Sequence, residues 1–247
     1  MHKGQAGRVG VVGGSEDYTG APYFSAIAAM KIGVDLCHVF CEPGAGTVIK
    51  EKKQVLKKKN VDLIVHPYMR TKEKVESQNS GLKEIVDRVS TVFSRLHVLV
   101  VGPGLSRDEL MLDSAKELIL KAREKNMAIV VDGDGLYLIQ QHPETNINAK
   151  DHPKEEVAQQ LSKSLGGVTI VQKGPEDYIA NADEVFQCNV KGGLKRMGGQ
   201  GDILSGIIAA FLAWGKGYED GVWEAVLTSH MVEEIGESYD LFVKDKK

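Results

Sequence analysis

At 247 residues the chain is long enough for one α/β domain with a sizeable core. Its 42% hydrophobic and 26% charged residues exclude a disordered or fibrous class, and its net charge of −3 gives no case for nucleic acid or an anionic membrane as partner. No apolar stretch approaches membrane-spanning length, and the three cysteines, Cys37, Cys41 and Cys188, form neither a disulfide framework nor a metal spacing. Cys37 and Cys41 lie in an apolar run, where buried thiols suit a reducing compartment. With no signal-peptide pattern at the N-terminus, the expected location is cytosolic.

Residues 8–15, Arg-Val-Gly-Val-Val-Gly-Gly-Ser, read as a β-branched strand ending in a glycine turn. A helix is predicted over 21–33, with Pro22 suited to its first turn and Ala26, Ala28, Ala29 and Met30 good helix formers. Residues 36–41 form the next strand. Strand, glycine turn, helix and strand make a βαβ unit whose ligand face lies at the strand's carboxyl end. Gly13-Gly14 lacks the Gly-x-Gly-x-x-Gly spacing of a dinucleotide fold. The lysines between 47 and 60 (Lys50, Lys52, Lys53, Lys57, Lys58 and Lys59) either contact phosphate or form a solvated helix face; the non-basic surroundings favour the solvated face. Residues 61–67 read as a strand ending at proline, 70–81 as a polar loop, and 82–96 as a helix with Leu82, Ile85, Val86, Val89 and Phe93 on one face.

Residues 97–105 are a second clear strand and glycine turn, apolar enough for a central parallel strand. Gly102-Pro103-Gly104 either brings backbone N–H groups to a ligand or is a structural turn. An amphipathic helix over 109–126 turns Leu112, Ala115, Leu118, Ile119 and Ala122 inward, and the strand 128–131 follows. It leads to Asp132-Gly133-Asp134, two carboxylates that either bind Mg²⁺ or, for Asp134, cap a helix over 135–141. The cap is favoured for Asp134, and Asp132 stays open. Then the alternation breaks: 143–153 is polar, and a second helix, 154–165, follows directly. Residues 167–172 are a strand ending at Lys173-Gly174-Pro175-Glu176-Asp177, where the lysine either neutralises phosphate or is an exposed turn residue. Residues 178–180 and 185–188 read as a hairpin. The seven histidines show no metal spacing.

The stretch over 196–214, Arg-Met-Gly-Gly-Gln-Gly-Asp followed by a long apolar run, is the chemical focus. Gly198, Gly199 and Gly201 feed a helix that is apolar on nearly every side, so a buried helix is predicted. A glycine turn opening a helix leaves N–H groups pointing one way and, with the helix dipole, makes an anion site. A carboxylate there repels an anion, so Asp202 is better suited to accept a proton from a hydroxyl that attacks a phosphate; the alternative is that Asp202 only caps the helix. Arg196 beside the turn pairs a phosphate or is solvated.

Gly199-Gln200-Gly201-Asp202 resembles the Gly-x-Gly-Asp signature of the ribokinase-like superfamily. The longer Gly-Gly-Gln-Gly-Asp-Ile-Leu-Ser-Gly resembles its eukaryotic ATP-dependent NAD(P)H-hydrate dehydratase branch. Gly13-Gly14-Ser15, Tyr18-Thr19-Gly20-Ala21-Pro22-Tyr23, Gly102-Pro103-Gly104-Leu105, the Lys173-to-Asp177 turn and Thr228-Ser229-His230-Met231 resemble that family in order. The resemblance implies an α/β ribokinase-like fold, a mostly parallel sheet with helices on both faces, in a single domain over 1–247 contracted near 143–154 and 218–228. It implies ATP as phosphoryl donor with Mg²⁺, and dehydration of the S-form of NADH and NADPH hydrates through a phosphorylated ring hydroxyl. Asp202 is the implied catalytic base, and Ala21, Gly104 and Asp202 the implied substrate contacts. The implied nucleotide site takes Lys173, Gly174, Pro175, Glu176 and Asp177 together with Gly192, Gly193, Leu194, Lys195, Arg196, Met197, Gly198, Gly199, Gln200 and Gly201. A homo-oligomer is compatible with it. The chain departs from the family where a Thr-Pro-Asn or Thr-Pro-His segment is usual, near 143–153, where Ser106 stands in place of glycine, and where His230 stands in place of aspartate. Two other readings are a small-molecule kinase of the same superfamily, acting on a vitamin- or sugar-type alcohol, and a non-catalytic nucleotide-binding remnant.

Overall fold

Short runs rich in valine, isoleucine and leucine pair side by side in a parallel sheet, which suits strands covered on both faces. A computed structural model describes residues 4–55, 63–76, 81–141, 150, 152–193 and 197–217. They fall into two compact units: residues up to 138 with 197–217, and residues 139–193.

In the first unit β1 (Arg8–Val12), β2 (Leu36–Phe40), β3 (Leu63–His66), β4 (Val98–Val101) and β5 (Ala128–Val131) are ordered β3-β2-β1-β4-β5. All four pairings are parallel; Arg8 to Val12 align with Leu36 to Phe40, and Val9 to Val12 with Val98 to Val101. The side-chain alternation of a strand sends Val9, Val11, Cys37, Val39, Val98 and Val100 to one face. There they meet α1 (Gly20–Ile32), α2 (Pro43–Val55) and α8 (Gln200–Gly217) through Ala26, Ala29, Ala45, Ile49, Ala209, Ala210 and Ala213. Val12, Phe40, Leu99 and Val101 face the other way, onto α4 (Leu82–Ser90) and α5 (Glu109–Glu124) through Ile85, Val86, Val89, Met111, Ala115, Leu118 and Ala122. Each fully buried valine or leucine of this kind stabilises by about 1.5–3 kcal/mol. The small residues on α1 and α8 let the two helices touch. A Cβ at Gly206 would lie 2.0 Å from the Ser25 carbonyl oxygen, and the buried Ser25 and Ser205 hydroxyls lie 3.1 Å apart. Trp214 closes the far end by donating its Nε1–H to the Ala6 carbonyl at 2.8 Å.

Several local expectations are corrected. The polar stretch 70–81 contains a short helix, α3 (Lys72–Glu76), held by long-range bonds rather than by its own propensity: the Lys72 N–H donates to the Asp108 carboxylate, and Lys74 pairs with Glu16 and Glu42. The helix expected over 82–96 ends at Ser90, and a 3₁₀ turn at Phe93–Arg95 follows. That turn lowers Leu96 onto Gly10, where any Cβ would come within 2.7 Å of it. The helix α8 is not buried all round, since Ile203 is 43% exposed. Lys50 and Lys52 are exposed on α2, as a solvated face requires, whereas Lys57, Lys58 and Lys59 lie outside the described residues.

The second unit contains α7 (Lys154–Ser164) and a three-stranded antiparallel sheet, β6 (Ile170–Gln172), β7 (Asp177–Ala180) and β8 (Val185–Cys188). The β6 strand starts later than expected because Gly166 and Gly167 take left-handed φ values of 80° and 88°. The predicted hairpin is present, its turn held by Asn181 Oδ1, which accepts from the N–H groups of Asp183 and Glu184. Ala158, Tyr178 and Ala180 are its small buried core. The helix α6 (Asp134–Gln140) leads out of the first unit towards the second along the chain.

Candidate active site

The sheet order reverses at β1. The chain runs outward through β2 and β3, then returns to lay β4 on the other side of β1. Ligands of open α/β sheets bind outside the carboxyl ends of the strands at such a switch point. Residues 13–15 and 102–104 meet there. Their glycines serve packing first: a Cβ at Gly13 would lie 2.1 Å from the Pro103 carbonyl oxygen, and one at Gly102 1.7 Å from that of Asp132. The N–H groups are committed too, Gly13 to Phe40 O at 3.0 Å, Gly14 to Pro103 O and Gly104 O at 3.1 and 3.0 Å, and Gly102 to Val12 O at 3.0 Å. The Gly102 N–H therefore serves the turn and not a ligand. Gly104, at φ 60°, would place a Cβ 2.6 Å from Tyr18 O and 3.2 Å from the Ala21 Cβ. Two of the three residues expected to contact substrate, Gly104 and Ala21, are thus neighbours.

Two residues of this rim escaped the sequence reading. Ser15 is only 5% exposed, and its buried Oγ has no hydrogen-bond partner among the described residues. It lies in the quoted glycine turn, which was the available signal. Glu42 follows β2 and is 0% exposed. Its N–H donates to Gly14 O at 3.0 Å, and its carboxylate accepts from Gly44 N–H at 2.8 Å and from Lys74 Nζ at 2.6 Å. Lys74 also reaches Glu16 at 3.0 Å, so one ammonium ties the loop after β1 to the end of β2. Both carboxylates hold the Lys74 ammonium charged, raising its pKa. Only a charged residue closing an apolar strand hinted at Glu42.

The turn before α8 differs. A Cβ at Gly198 would meet nothing within 4 Å, while Gly199, at φ 89°, sits 3.1 Å by the same measure from the Phe24 ring of α1. The Ile203 N–H bonds back to Gly199 O at 2.9 Å. Earlier N–H groups of a first turn have no carbonyl in their own helix, and the helix dipole adds positive potential there. Asp202 is the third residue of α8, half-buried, so the N-cap position belongs to Gly199 and not to Asp202. The Ser205 hydroxyl donates to Asp202 O at 2.8 Å, tying this turn to the Ser25 contact with α1. Gln200 and Gly201 open the helix, and Met197 is 57% exposed beside them. Leu194, Lys195 and Arg196 lie outside the described residues, as does His230.

The expected Asp134 cap is corrected. Its carboxylate reaches across to residues 105–108, accepting from the Ser106 N–H at 3.0 Å, with Arg107 Nε 3.6 Å away. That pins Ser106 at φ 69°, a left-handed value that favours glycine. No cluster of three or more His, Cys, Asp or Glu suited to a metal occurs among the described residues.

In the second unit Lys173 stands at the exposed end of β6. Asp177 Oδ1 accepts from the Gly174 N–H at 2.7 Å, and Glu176 accepts from Tyr178 Oη at 3.2 Å and Gln187 Nε2 at 2.9 Å. The Lys-Gly-x-x-Asp spacing is thus a side-chain-closed turn that presents Lys173 and Pro175. Gly192 and Gly193 are exposed beyond β8.

A family model described as NAD(P)H-hydrate dehydratase matches residues 9–154 and 145–244. The ATP-dependent (S)-NAD(P)H-hydrate dehydratase of Phaeosphaeria nodorum is 46% identical over 247 residues, covering 91% of this chain and 74% of that protein. The Schizosaccharomyces pombe protein of the same name is 42% identical over 244 residues, covering 91% and 72%. Among solved structures, a ribokinase-like superfamily protein from Enterococcus faecalis superposes with a TM-score of 0.68 at 22% identity, covering 99% of this chain and 89% of that one. The Bacillus subtilis ADP/ATP-dependent NAD(P)H-hydrate dehydratase co-crystallised with ATP/Mg²⁺ gives 0.66 at 18%, covering 99% and 83%. These two likenesses show the ribokinase-like fold, as expected from the sequence. With the family model spanning most of its length and relatives above 40% identity, the chain belongs to the NAD(P)H-hydrate dehydratase family.

Proposed function

We propose that this chain is an ATP-dependent dehydratase that returns the S-form of hydrated NADH and NADPH to NADH and NADPH. The observation that carries the reading is a carboxylate, Asp202, in the first turn of a helix opened by a glycine turn that is unpacked at Gly198. Asp202 takes the proton of the ring hydroxyl as its oxygen attacks the γ-phosphorus of ATP. The new O–P bond replaces the bond to ADP. Loss of a ring proton and departure of inorganic phosphate then restore the carbon–carbon double bond. Phosphorylation matters because hydroxide is a poor leaving group and phosphate a good one. The backbone N–H groups of the Gly198-to-Gly201 turn are preorganised donors for the charge on the transferred group. Ala21 and Gly104 shape the substrate side, and Ser15 offers a further hydroxyl. Lys173, with the turn closed by Asp177, is assigned to nucleotide phosphate, together with Gly192, Gly193 and the segment through Met197. Mg²⁺, when bound, screens the triphosphate and is held largely by its oxygens.

We take residues 1–247 as one functional domain acting on a small molecule, without nucleic acid or membrane partners, as a possible homo-oligomer. Among the described residues no helix is long and apolar enough to cross a membrane. The free thiols Cys37 and Cys41, both buried, favour a cytoplasmic site of action. Burial raises both thiols, Cys41 up to about 12 with Glu42 contributing, which keeps them protonated and unreactive.

The deciding measurement is recovery of NADH absorbance from purified hydrate, with and without ATP and Mg²⁺. ATP-dependent recovery is expected. Accumulation of a stable phosphorylated product would instead identify a small-molecule kinase. Asp202→Asn is expected to lower turnover by roughly 10²–10⁴-fold while nucleotide binding survives, the range for losing a general base. Near-normal turnover would remove Asp202 from the mechanism.

A further inference from the structure

At the amino-terminal ends of β1 and β2, away from the glycine turns, an open cleft of about 390 Å³ is lined by Arg8, Leu36, His38, Ile64, Ser94 and Arg95. Its charge is one-sided, because no carboxylate is among the lining residues. Arg8 is fixed in place: Nη1 donates to Gly4 O at 3.3 Å, and Nη2 lies 2.7 Å from His97 Nε2. Among the described residues neither Arg8 nor Arg95 forms an ion pair with an acidic side chain. Asp35, next to Leu36 in the chain, is occupied with the N–H groups of Gly4 and Ala6.

The other lining groups complete a polar and an apolar half. His38 and His66 lie nearly coplanar, edge to edge, with the His38 Nδ1 2.9 Å from the His66 Nε2. Burial, with His66 and Arg95 nearby, lowers His38 to about 4, so at neutral pH it offers a hydrogen-bonding edge without charge. Ser94 is exposed, and Ile64, 39% exposed, leaves apolar surface uncovered on the floor. Two guanidinium groups line the cleft with no carboxylate among its lining residues, so an anion bound there meets positive charge. Their planar forks suit phosphate oxygens, and the cleft volume falls within the range of roughly 300–1,000 Å³ that small-molecule sites occupy.

We propose that this cleft is a second ligand site, separate from the reaction centre, that takes a small phosphate-bearing metabolite. Arg8, Arg95 and Ser94 hold the phosphate, and the ligand's less polar portion lies on Leu36 and Ile64. The site does not depend on the reaction assigned to the strand carboxyl ends.

The probe is inorganic phosphate, titrated into the full chain saturated with a non-hydrolysable ATP analogue and Mg²⁺, and read by amide NMR shifts. Saturable shifts are expected at Leu36, His38, Ser94 and Arg95. Arg95→Gln should weaken that binding by about tenfold or more, a usual consequence of losing one charged hydrogen-bonding partner. Ser94→Glu, which places a carboxylate in the cleft at an exposed position, should abolish it. Both variants should bind the ATP analogue as the parent does, which shows that they fold. If the analogue does not bind at all, the nucleotide reading fails, and the same titration on the free chain still tests the cleft. Absence of shifts at these residues up to about 50 mM phosphate, far weaker than a specific site, or identical binding in Arg95→Gln, overturns the proposal.

Discussion

The glycines at the carboxyl ends of β1 and β4 and the glycines before α8 have similar composition and opposite surroundings. At Gly13 and Gly102 the space a Cβ would fill is already taken by carbonyl oxygens 2.1 and 1.7 Å away. At Gly198 that space is empty to 4 Å. The first set interlocks three strand ends into a fixed platform, with its N–H groups bonded to Phe40, Pro103, Gly104 and Val12. The second keeps a helix N-terminus approachable from one side. Glycine clusters near a phosphate site are easily read as a single device. Here one cluster builds rigidity, and the other leaves Gly198 unpacked, so the same substitution separates them.

The largest effect is expected at Gly102→Ala. Its φ of 121° is one that side chains rarely adopt, and the Cβ would overlap the Asp132 carbonyl. Relief requires β4 and β5 to part at their carboxyl ends. A loss of about 4 kcal/mol or more is expected in urea unfolding, or no folded protein at all, because strain and overpacking add. A variant within about 1 kcal/mol of the parent would show that the platform yields readily.

Glu42→Gln tests the same platform through charge. The buried carboxylate bonds Gly44 N–H and Lys74, and the amide can keep one acceptor but loses the ionic partner. Removing one member of a buried pair is strongly destabilising, but Lys74 retains access to water and to Glu16, so about 2–3 kcal/mol is expected. A double-mutant cycle with Lys74→Met checks the coupling; additive effects would mean that the clamp contributes little.

Much of the platform was legible because its signals are local. The runs at Val9, Leu36, Val98 and Ala128 alternate with helical stretches, which marks a parallel sheet, whereas the strand order emerges only in the structure. What stayed hidden depends on distant partners. Four of the five residues of α3 are charged, with Val75 alone turned to the core, and nothing in so short a stretch announces that Lys74 reaches Glu42. Asp134 looked like a cap because capping is the local use of an aspartate before a helix, whereas it serves Ser106, 28 residues away. The candidate site was read in another way. Asp202 stood out by chemistry, but Ala21 and Gly104 were assigned by resemblance alone, and their proximity is a product of the β1–β4 crossover.

The smallest change in stability, and the sharpest use of the contrast, is Gly198→Ala. Gly198 does not adopt a left-handed φ, and an added methyl group meets no atom within 4 Å among the described residues. Folding alone gives no reason for glycine there. Reduced freedom of the unfolded chain should leave the variant unchanged or more stable by about 0.4–1 kcal/mol. If the turn admits nucleotide phosphate close to the backbone, the methyl group occupies the ligand's space. ATP-dependent NADH recovery should then fall by about tenfold, the effect of a near-1 Å displacement of a reacting group being comparable or larger. The measurement is thermal unfolding beside turnover on one preparation. Stability held with turnover lost assigns Gly198 to the ligand. Turnover held as well would mean that phosphate does not approach this side of the turn, and that the N–H groups closer to Gly201 bind it without needing a bare backbone at 198.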